Sequence, residues 1–212
     1  MSVYKRLRIR NIIYEHVKNN IKDYFLISLI FLIGVFLGVM CINNSKDVQV
    51  EQITSYLNSF VGNLKNIENL EYGRLLKTSL CNNMLVGLAV CFFGTTVIGI
   101  PIVFGIILYR GFCLGYTIAS CIIVMSLKKG IFFILNVLLL QNIIFIPAII
   151  AIGVSGLKLY RAIIKERSKD GIKSEVMRHI IFSVIMFILL CIASFVEIIF
   201  STNLLKKFIK YF

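Results

Sequence analysis

Charged side chains are scarce in this sequence of 212 residues: Asp, Glu, Lys and Arg make up 16% of it, whereas 58% of the residues are hydrophobic. This balance excludes an ordinary soluble globular protein, whose surface carries more charge. Charges are also absent from five long stretches, residues 24–42, 78–109, 111–127, 130–157 and 180–196. Since about 20 helical residues cross a hydrocarbon core about 30 Å thick, these stretches predict transmembrane helices.

Catalytic and metal-binding residues are also sparse. The sequence has two histidines, His16 and His179, and neither has a second metal ligand at a helical spacing. The six cysteines form no CxxC pair and lie in or beside apolar stretches, where cysteine packs as a small apolar residue. No glycine-rich phosphate loop is present. We therefore expect a protein that is not an enzyme, with no catalytic residues, no cofactor and no metal.

Basic residues predict the orientation in the membrane. The net charge of +13 would suit nucleic acid, but Lys and Arg flank the apolar stretches and form no single polar face, so we expect no nucleic-acid partner. Residues 1–23 contain six Lys or Arg, and residues 158–178 contain seven. Because cytoplasmic margins are enriched in Lys and Arg, both segments are predicted to be cytoplasmic, which requires an even number of spans between them.

The sequence predicts an all-α fold, a single integral membrane domain over residues 1–212 with about five transmembrane helices. The predicted order is a basic amphipathic cytoplasmic segment at 1–23, span one at 24–42, an extracytoplasmic helical loop at 43–77, span two at 78–98, span three at 101–127, span four at 130–156, a cytoplasmic loop at 157–179, span five at 180–202 and an extracytoplasmic tail at 203–212. Gly99 and Pro101 suit a tight turn between spans two and three, which places Arg110 inside span three. The alternative makes Arg110 the cytoplasmic end of span two, and the topology is the same either way.

Apolar residues recur at three- and four-residue steps in the predicted outer loop, which is typical of a one-sided helix. They are Ile53, Tyr56, Leu57, Phe60, Val61, Leu64 and Ile67. One interpretation is a helix that packs on the outer membrane surface or on neighbouring spans. The other is a docking face for an extracytoplasmic protein, since a partner groove or helix can bury such a stripe.

Polar residues inside the predicted spans are candidates for function, because a charge in lipid needs a partner or a water-filled path. They are Arg110, Gln141, Asn142 and Glu197. If Arg110 lies in mid-span, it can pair with Gln141, Asn142 or a backbone carbonyl. Glu197 lies near the outer end of span five, at a depth that differs by roughly 10 Å at 1.5 Å per residue, so a direct ion pair between Arg110 and Glu197 is left as an open alternative. For both charges, structural placement and a functional role remain open.

Small residues spaced four apart allow close contact between membrane helices. Such pairs are Gly34 with Gly38 in span one and Gly111 with Gly115 in span three. We expect this spacing to serve packing within the chain or contacts between chains, including those of a homo-oligomer.

Short polar and glycine-containing segments occur in a set order: Asn82-Asn83, Gly99-Ile100-Pro101, Gly111 with Gly115, Leu140 to Ala148, and Ser155-Gly156-Leu157. This order resembles the stage II sporulation protein M family over nearly the whole chain. The resemblance implies a role in forespore engulfment during endospore formation, in the septal region of the cell membrane. It also implies two peptidoglycan-degrading partners, stage II sporulation protein D, a lytic transglycosylase, and stage II sporulation protein P, an amidase/endopeptidase.

The chain also departs from patterns frequent in the wider superfamily. Where a Pro-His-Gly-x-x-Glu-like segment is common, this chain has Leu140, Gln141, Asn142 and Phe145, and Arg110-Gly111 replaces an Asn-Gly pair. The departures remove an intramembrane titratable pair and weaken any enzymatic proposal. We therefore expect a membrane scaffold whose partners supply the hydrolytic chemistry; the alternative is a transporter or channel subunit with a polar intramembrane site.

Overall fold

The computed structural model describes residues 9–45, 49–56, 59, 72–125, 127–135, 139–165 and 169–197. These residues form helices and no strand, so the all-α prediction is confirmed for them. The helices are α1 (Ile9–Asn19), α2 (Ile21–Asn43), α3 (Tyr72–Gly94), α4 (Gly99–Met125), α5 (Leu127–Phe133), α6 (Leu139–Lys165) and α7 (Lys169–Val196), and residues 49–56 are helical as well.

Five of the described helices are long and apolar enough to cross a membrane, which confirms the predicted number. Their apolar parts are Ile21–Asn43, Leu76–Gly94, Gly99–Met125, Asn142–Ile164 and Gly171–Val196. This chain is a multi-pass membrane protein.

The long helices alternate in direction. α2 and α4 run parallel, because Gly34 faces Leu108 while Gly38 faces Phe112. α7 runs opposite to α3, since Asn83 bonds to Ser194 and Cys91 lies beside His179. α3 and α6 run parallel. The arrangement therefore has two ends, and we call the one where α2 begins the α1 end.

α6 is the central helix of the bundle. Residues 148–157 are all buried, so this helix is covered on every side, as expected for the core of a membrane bundle. Its small residues allow that: a Cβ on Gly156 would lie 2.9 Å from the Cα of Gly94, so α3 and α6 nearly touch there. Ile152 and Val154 are fully buried in the same cluster as Val103, from α4, and Leu190, from α7.

Several helix bounds differ from the predicted spans. The turn between α3 and α4 lies at residues 95–98, just before Gly99, and not at Gly99-Ile100-Pro101. Gly99 begins α4, where a Cβ would overlap the Phe93 carbonyl oxygen, and Pro101 occupies the first turn of that helix. Arg110 lies well inside α4.

The predicted fourth span, 130–156, does not coincide with one helix. Its first residues belong to α5, which packs against the end of α4 through Phe133, Cys121 and Met125. The crossing helix α6 begins at Leu139 and continues to Lys165, and α7 begins at Lys169, so helix extends into the predicted cytoplasmic loop at 157–179. Three of the charged residues in this region, Lys158, Arg161 and Arg178, form ion pairs with Glu175 or Asp23. The predicted tail at 203–212 lies outside the described residues.

Candidate functional site

Arg110 is the charge that lies deepest among the membrane spans described. At a rise of roughly 1.5 Å per residue, it is about 17 Å from Gly99 and about 22 Å from Met125 along α4. Its guanidinium lies over the Phe145 ring of α6, with Cζ 4.8 Å from the ring centroid. This is a cation–π contact, which stabilises a cation away from bulk water.

A polar cluster joins α3 to α7 beside Arg110. The Ser79 hydroxyl donates to the Glu197 carboxylate, and the Asn83 amide donates to Ser194 Oγ at 2.8 Å. Ser79, Asn83 and Ser194 are buried, so these bonds satisfy groups that would be costly in an apolar interior. Glu197 also attracts Arg110 electrostatically, although no carboxylate lies within 4 Å of this arginine among the described residues.

A cavity of about 170 Å³ opens next to Arg110. Its polar lining consists of Arg110, Asn83, Asn142, Cys113 and Thr117, and apolar residues such as Phe31 and Ile150 form the rest. The sequence thus identified two of its lining residues, Arg110 and Asn142. The Gln141 side chain lies outside the described part of the chain.

A second polar cluster lies at the α1 end. Asp23 is 5% exposed, and its carboxylate forms an ion pair with the Arg161 guanidinium of α6, with Oδ1 and Nη1 2.7 Å apart. This ion pair joins α2 to α6. His179, 1% exposed, lies between Ser155 Oγ at 2.9 Å from Nδ1 and the Cys91 carbonyl oxygen at 3.3 Å from Nε2. Because a carbonyl only accepts, Nε2 carries the proton and Ser155 donates to Nδ1. The ring thereby links α3, α6 and α7 as a structural hydrogen-bonding unit.

His16 attaches α1 to this end of the bundle. Its ring stacks on Phe182 with centroids 4.0 Å apart, and Nδ1 lies 3.1 Å from the Tyr24 hydroxyl. Burial lowers the pKa of His16 to about 4, with smaller contributions from the positive charge of Lys158 and from His179. His16 is therefore neutral at pH 7. It lines a cavity of about 400 Å³, and Lys158, Glu175 and Arg178 also line this cavity.

The glycines predicted to pack helices lie together between α2 and α4. A Cβ on Gly34 or Gly38 would overlap a carbonyl oxygen of α4, from Leu108 or Phe112. A Cβ on Gly111 or Gly115 would overlap a carbonyl oxygen of α2. All four glycines thus lie in one contact within the chain, where the two backbones touch directly.

The predicted docking stripe is described in part. Ile53 is half-buried and Tyr56 is 73% exposed, and both border a groove with Tyr116, Ser120 and Cys121 of α4. The other five residues of the stripe, Leu57, Phe60, Val61, Leu64 and Ile67, lie outside the described residues. In residues 49–56 the stripe therefore contributes both to packing on α4 and to the exposed surface.

Groups of three or more His, Cys, Asp or Glu that could hold a metal do not occur among the described residues. The chemistry at hand is hydrogen bonding, charge and close helix packing. A comparison with family models gives a match to Stage II sporulation protein M over residues 27–202. The chain belongs to the stage II sporulation protein M family.

Membership of this family makes the chain a sporulation-related membrane protein, and the family is not a known enzyme family. No curated protein and no solved structure matches the chain. The matched range contains every membrane-crossing helix found among the described residues, apart from the first residues of α2, and it includes both Arg110 and Ser194.

Sequence reasoning missed the partners of the buried polar residues. Ser79 and Asn83 are four residues apart, so they share one face of α3. Ser194 of α7 and Glu197, which directly follows the last residue of α7, are three apart. That spacing was the available signal. Which helix each face contacts was not in the sequence, and the same holds for His179 with Ser155.

Proposed function

We propose that this chain is a non-enzymatic membrane scaffold that recruits peptidoglycan-degrading partners to the septal membrane for forespore engulfment during endospore formation. Its partners are stage II sporulation proteins D and P, as the family resemblance implies. Support comes from family membership and from a bundle whose described polar residues serve packing and hydrogen bonding. In this proposal α1 and the loop between α6 and α7 are cytoplasmic, and residues 49–56 face the cell wall.

The observation that carries the proposal is how residues 49–56 are held. Ile53 lies half-buried against α4, whereas Tyr56 projects with 73% of its surface exposed. An exposed tyrosine on a fixed helical turn offers apolar area and a hydroxyl at a small entropic cost, which favours protein recognition. The groove of about 340 Å³ beside it adds an apolar surface for a partner side chain.

Co-purification from sporulating cells tests the scaffold. The full chain is expected to recover both hydrolases, and Tyr56→Ser is expected to reduce their recovery several-fold. Tyr14→Ser is the matched control, because Tyr14 is also exposed, at 65%, but lies on α1 at the other end of the bundle. Recovery of neither hydrolase by the unmodified chain, in detergent that preserves other membrane complexes, would exclude this function.

Orientation is tested on the same two positions. Tyr14→Cys and Tyr56→Cys, each in a chain whose six native cysteines are replaced by serine, are labelled in intact cells with a membrane-impermeant thiol reagent. Residue 56 should react from outside the cell and residue 14 only after permeabilisation. The reverse pattern would place the docking surface in the cytoplasm, away from peptidoglycan.

A transporter or channel subunit is the second candidate, favoured by one observation: Arg110 and Asn142 line a cavity at membrane depth. The cavity is about 170 Å³, below the roughly 300 Å³ at which small-molecule pockets begin, so we rank this function second. Cys113 lines the same cavity and reports on it. In a chain that keeps only this cysteine, a charged thiol reagent that labels it from both sides of the membrane would favour transport.

A further inference from the structure

Arg110 lies at a depth where the charge of a cation must be compensated. Its distances of about 17 and 22 Å from the two ends of α4 place it near the middle of a hydrocarbon core about 30 Å thick. A charge at this depth costs several kcal/mol unless a partner, backbone carbonyls or water compensate it.

The contacts that Arg110 makes with described residues do not use the hydrogen-bonding capacity of its guanidinium. The Phe145 ring lies beneath the guanidinium, with Cζ 4.8 Å from the ring centroid, and an aromatic ring offers no oxygen or nitrogen acceptor to the five N–H donors of the group. Glu197 attracts Arg110 but accepts the Ser79 hydroxyl and lies beyond 4 Å. Among the described residues no side chain makes a hydrogen bond or close ion pair with Arg110.

The cavity at Arg110 adjoins a groove on the outer surface of the helix bundle. The groove has a volume of about 400 Å³ and is almost entirely apolar, with Ile118, Ile143 and Pro147 among its walls. Leu114, Asn142 and Ile146 line both the groove and the cavity, so the two are neighbours. The surface thus combines an apolar channel between α4 and α6 with one cation at its inner edge.

We propose that this surface binds a transmembrane helix of a partner protein, and that an Asp or Glu of that helix enters the cavity and pairs with Arg110. The helix lies along the groove between α4 and α6, where Ile143 and Ile146 contact its apolar residues. The inference rests on the scaffold function, since it names the chemistry by which a membrane-anchored partner is held.

Charge, depth and size favour this occupant over a lipid. A lipid phosphate lies at the headgroup level, about 15 Å from the bilayer centre, whereas a side chain of a transmembrane helix reaches the centre directly. The cavity of about 170 Å³ equals the share of five or six water molecules at about 30 Å³ each. That room suits a carboxylate and its first CH₂ groups, while the helix backbone stays in the groove.

The test uses the full chain in phosphatidylcholine vesicles and synthetic apolar transmembrane peptides of about 23 residues. The peptides carry Asp, Asn or Lys at the centre, and binding is measured by energy transfer between peptide and chain. The unmodified chain should bind the Asp peptide about tenfold more tightly than the Asn peptide. Arg110→Gln should remove that preference, and Arg178→Gln, the same charge change at an exposed position, should leave it intact.

A second variant distinguishes loss of the charge pair from loss of the fold. Arg110→Glu should bind the Lys peptide more tightly than the Asp peptide, which a misfolded chain would not do. Equal binding of the Asp and Asn peptides, or a preference that survives Arg110→Gln, would overturn the proposal. Displacement of the Asp peptide when phosphatidylglycerol replaces phosphatidylcholine would assign the site to an anionic lipid. Self-association that depends on Arg110 without any peptide would assign it to a second copy of this chain.

These results are separable from the scaffold function. Synthetic peptides contain no hydrolase, so selective binding of the Asp peptide would stand even if neither hydrolase co-purified. Conversely, co-purification of both hydrolases with an Arg110→Gln chain would keep the scaffold and exclude this mode of holding them.

Discussion

Gly111 and Gly105 lie six residues apart on α4, and the same substitution should affect them in opposite directions. A Cβ on Gly111 would overlap the Phe31 carbonyl oxygen of α2, which is backbone and cannot rotate away. A Cβ on Gly105 would meet no atom within 4 Å. Gly111→Ala must therefore push α2 and α4 apart, whereas Gly105→Ala places its methyl group on an open surface.

The magnitude follows from two opposing effects. Replacing Gly by Ala within a helix gains about 1 kcal/mol at either position, because alanine loses less backbone entropy. Overpacking at Gly111 costs about 1–3 kcal/mol, and more if the whole contact opens. The free energy of unfolding of Gly111→Ala should thus lie about 1–3 kcal/mol below that of Gly105→Ala, a difference in which the propensity effect cancels.

Unfolding in mixed micelles of mild detergent and dodecyl sulfate, followed by circular dichroism, measures this difference. Gly34→Ala combined with Gly111→Ala should cost less than the two single effects added, because helices that have already separated lose the shared contact only once. Equal unfolding midpoints for Gly105→Ala and Gly111→Ala would refute the direct backbone contact between α2 and α4.

Two further predictions concern buried polar groups. Burial holds the pKa of His16 at about 4, below the 6.5 of an exposed histidine, so the unfolded chain takes up a proton at a higher pH than the folded chain does. The stability of the folded chain should therefore fall as the pH drops from 6.5 towards 4. His16→Gln should flatten a plot of thermal midpoint against pH between these two values. Asn83→Leu removes the hydrogen bond to Ser194 and should lower the free energy of unfolding by about 0.5–2 kcal/mol. Asn82→Leu, at an exposed neighbouring position, should lower it little. Equal losses for the two variants would contradict a stabilising hydrogen bond at Asn83.

The number of membrane helices was predictable because it depends on charge and length. Tyr24 to Ile42 contains no charge and is long enough to cross a bilayer, and α2 spans that range. Such reasoning cannot divide an uncharged run that exceeds one crossing. Residues 130–157 form such a run, and its first residues belong to α5, which packs on the end of α4. The contact is close at Gly130, where a Cβ would lie 2.8 Å from the Cys121 carbonyl oxygen.

Partners of buried polar residues were beyond sequence reasoning for a different reason. Helical spacing shows that Gly34 and Gly38 share a face, but it does not show which helix that face contacts. The same holds for Asp23, which lies in the first turn of α2 and pairs with Arg161, 138 residues later. Arg161 lies in the charged part of α6 that follows its apolar part. Its pair with Asp23 compensates its charge there.

The Asp23–Arg161 pair yields the sharpest stability test at the α1 end. The side chain of Asp23 is 7% exposed, whereas that of Arg161 is 49% exposed, so the two partners differ in what they lose when the other is removed. Arg161→Gln leaves a buried carboxylate without its cation and should cost about 1–3 kcal/mol, less than for a pair in which both partners are buried, because Arg161 is half-exposed. Asp23→Asn should cost less, because the Arg161 guanidinium reaches solvent or lipid headgroups.

The double variant separates this explanation from a simple loss of contacts. Asp23→Asn combined with Arg161→Gln removes both charges and should unfold at a higher dodecyl sulfate fraction than Arg161→Gln alone. Arg178→Gln is the control, since its exposed pair with Glu175 is worth about 1 kcal/mol or less. A double variant less stable than Arg161→Gln would mean that hydrogen bonding and packing, and not the uncompensated charge of Asp23, determine the stability of this contact between α2 and α6.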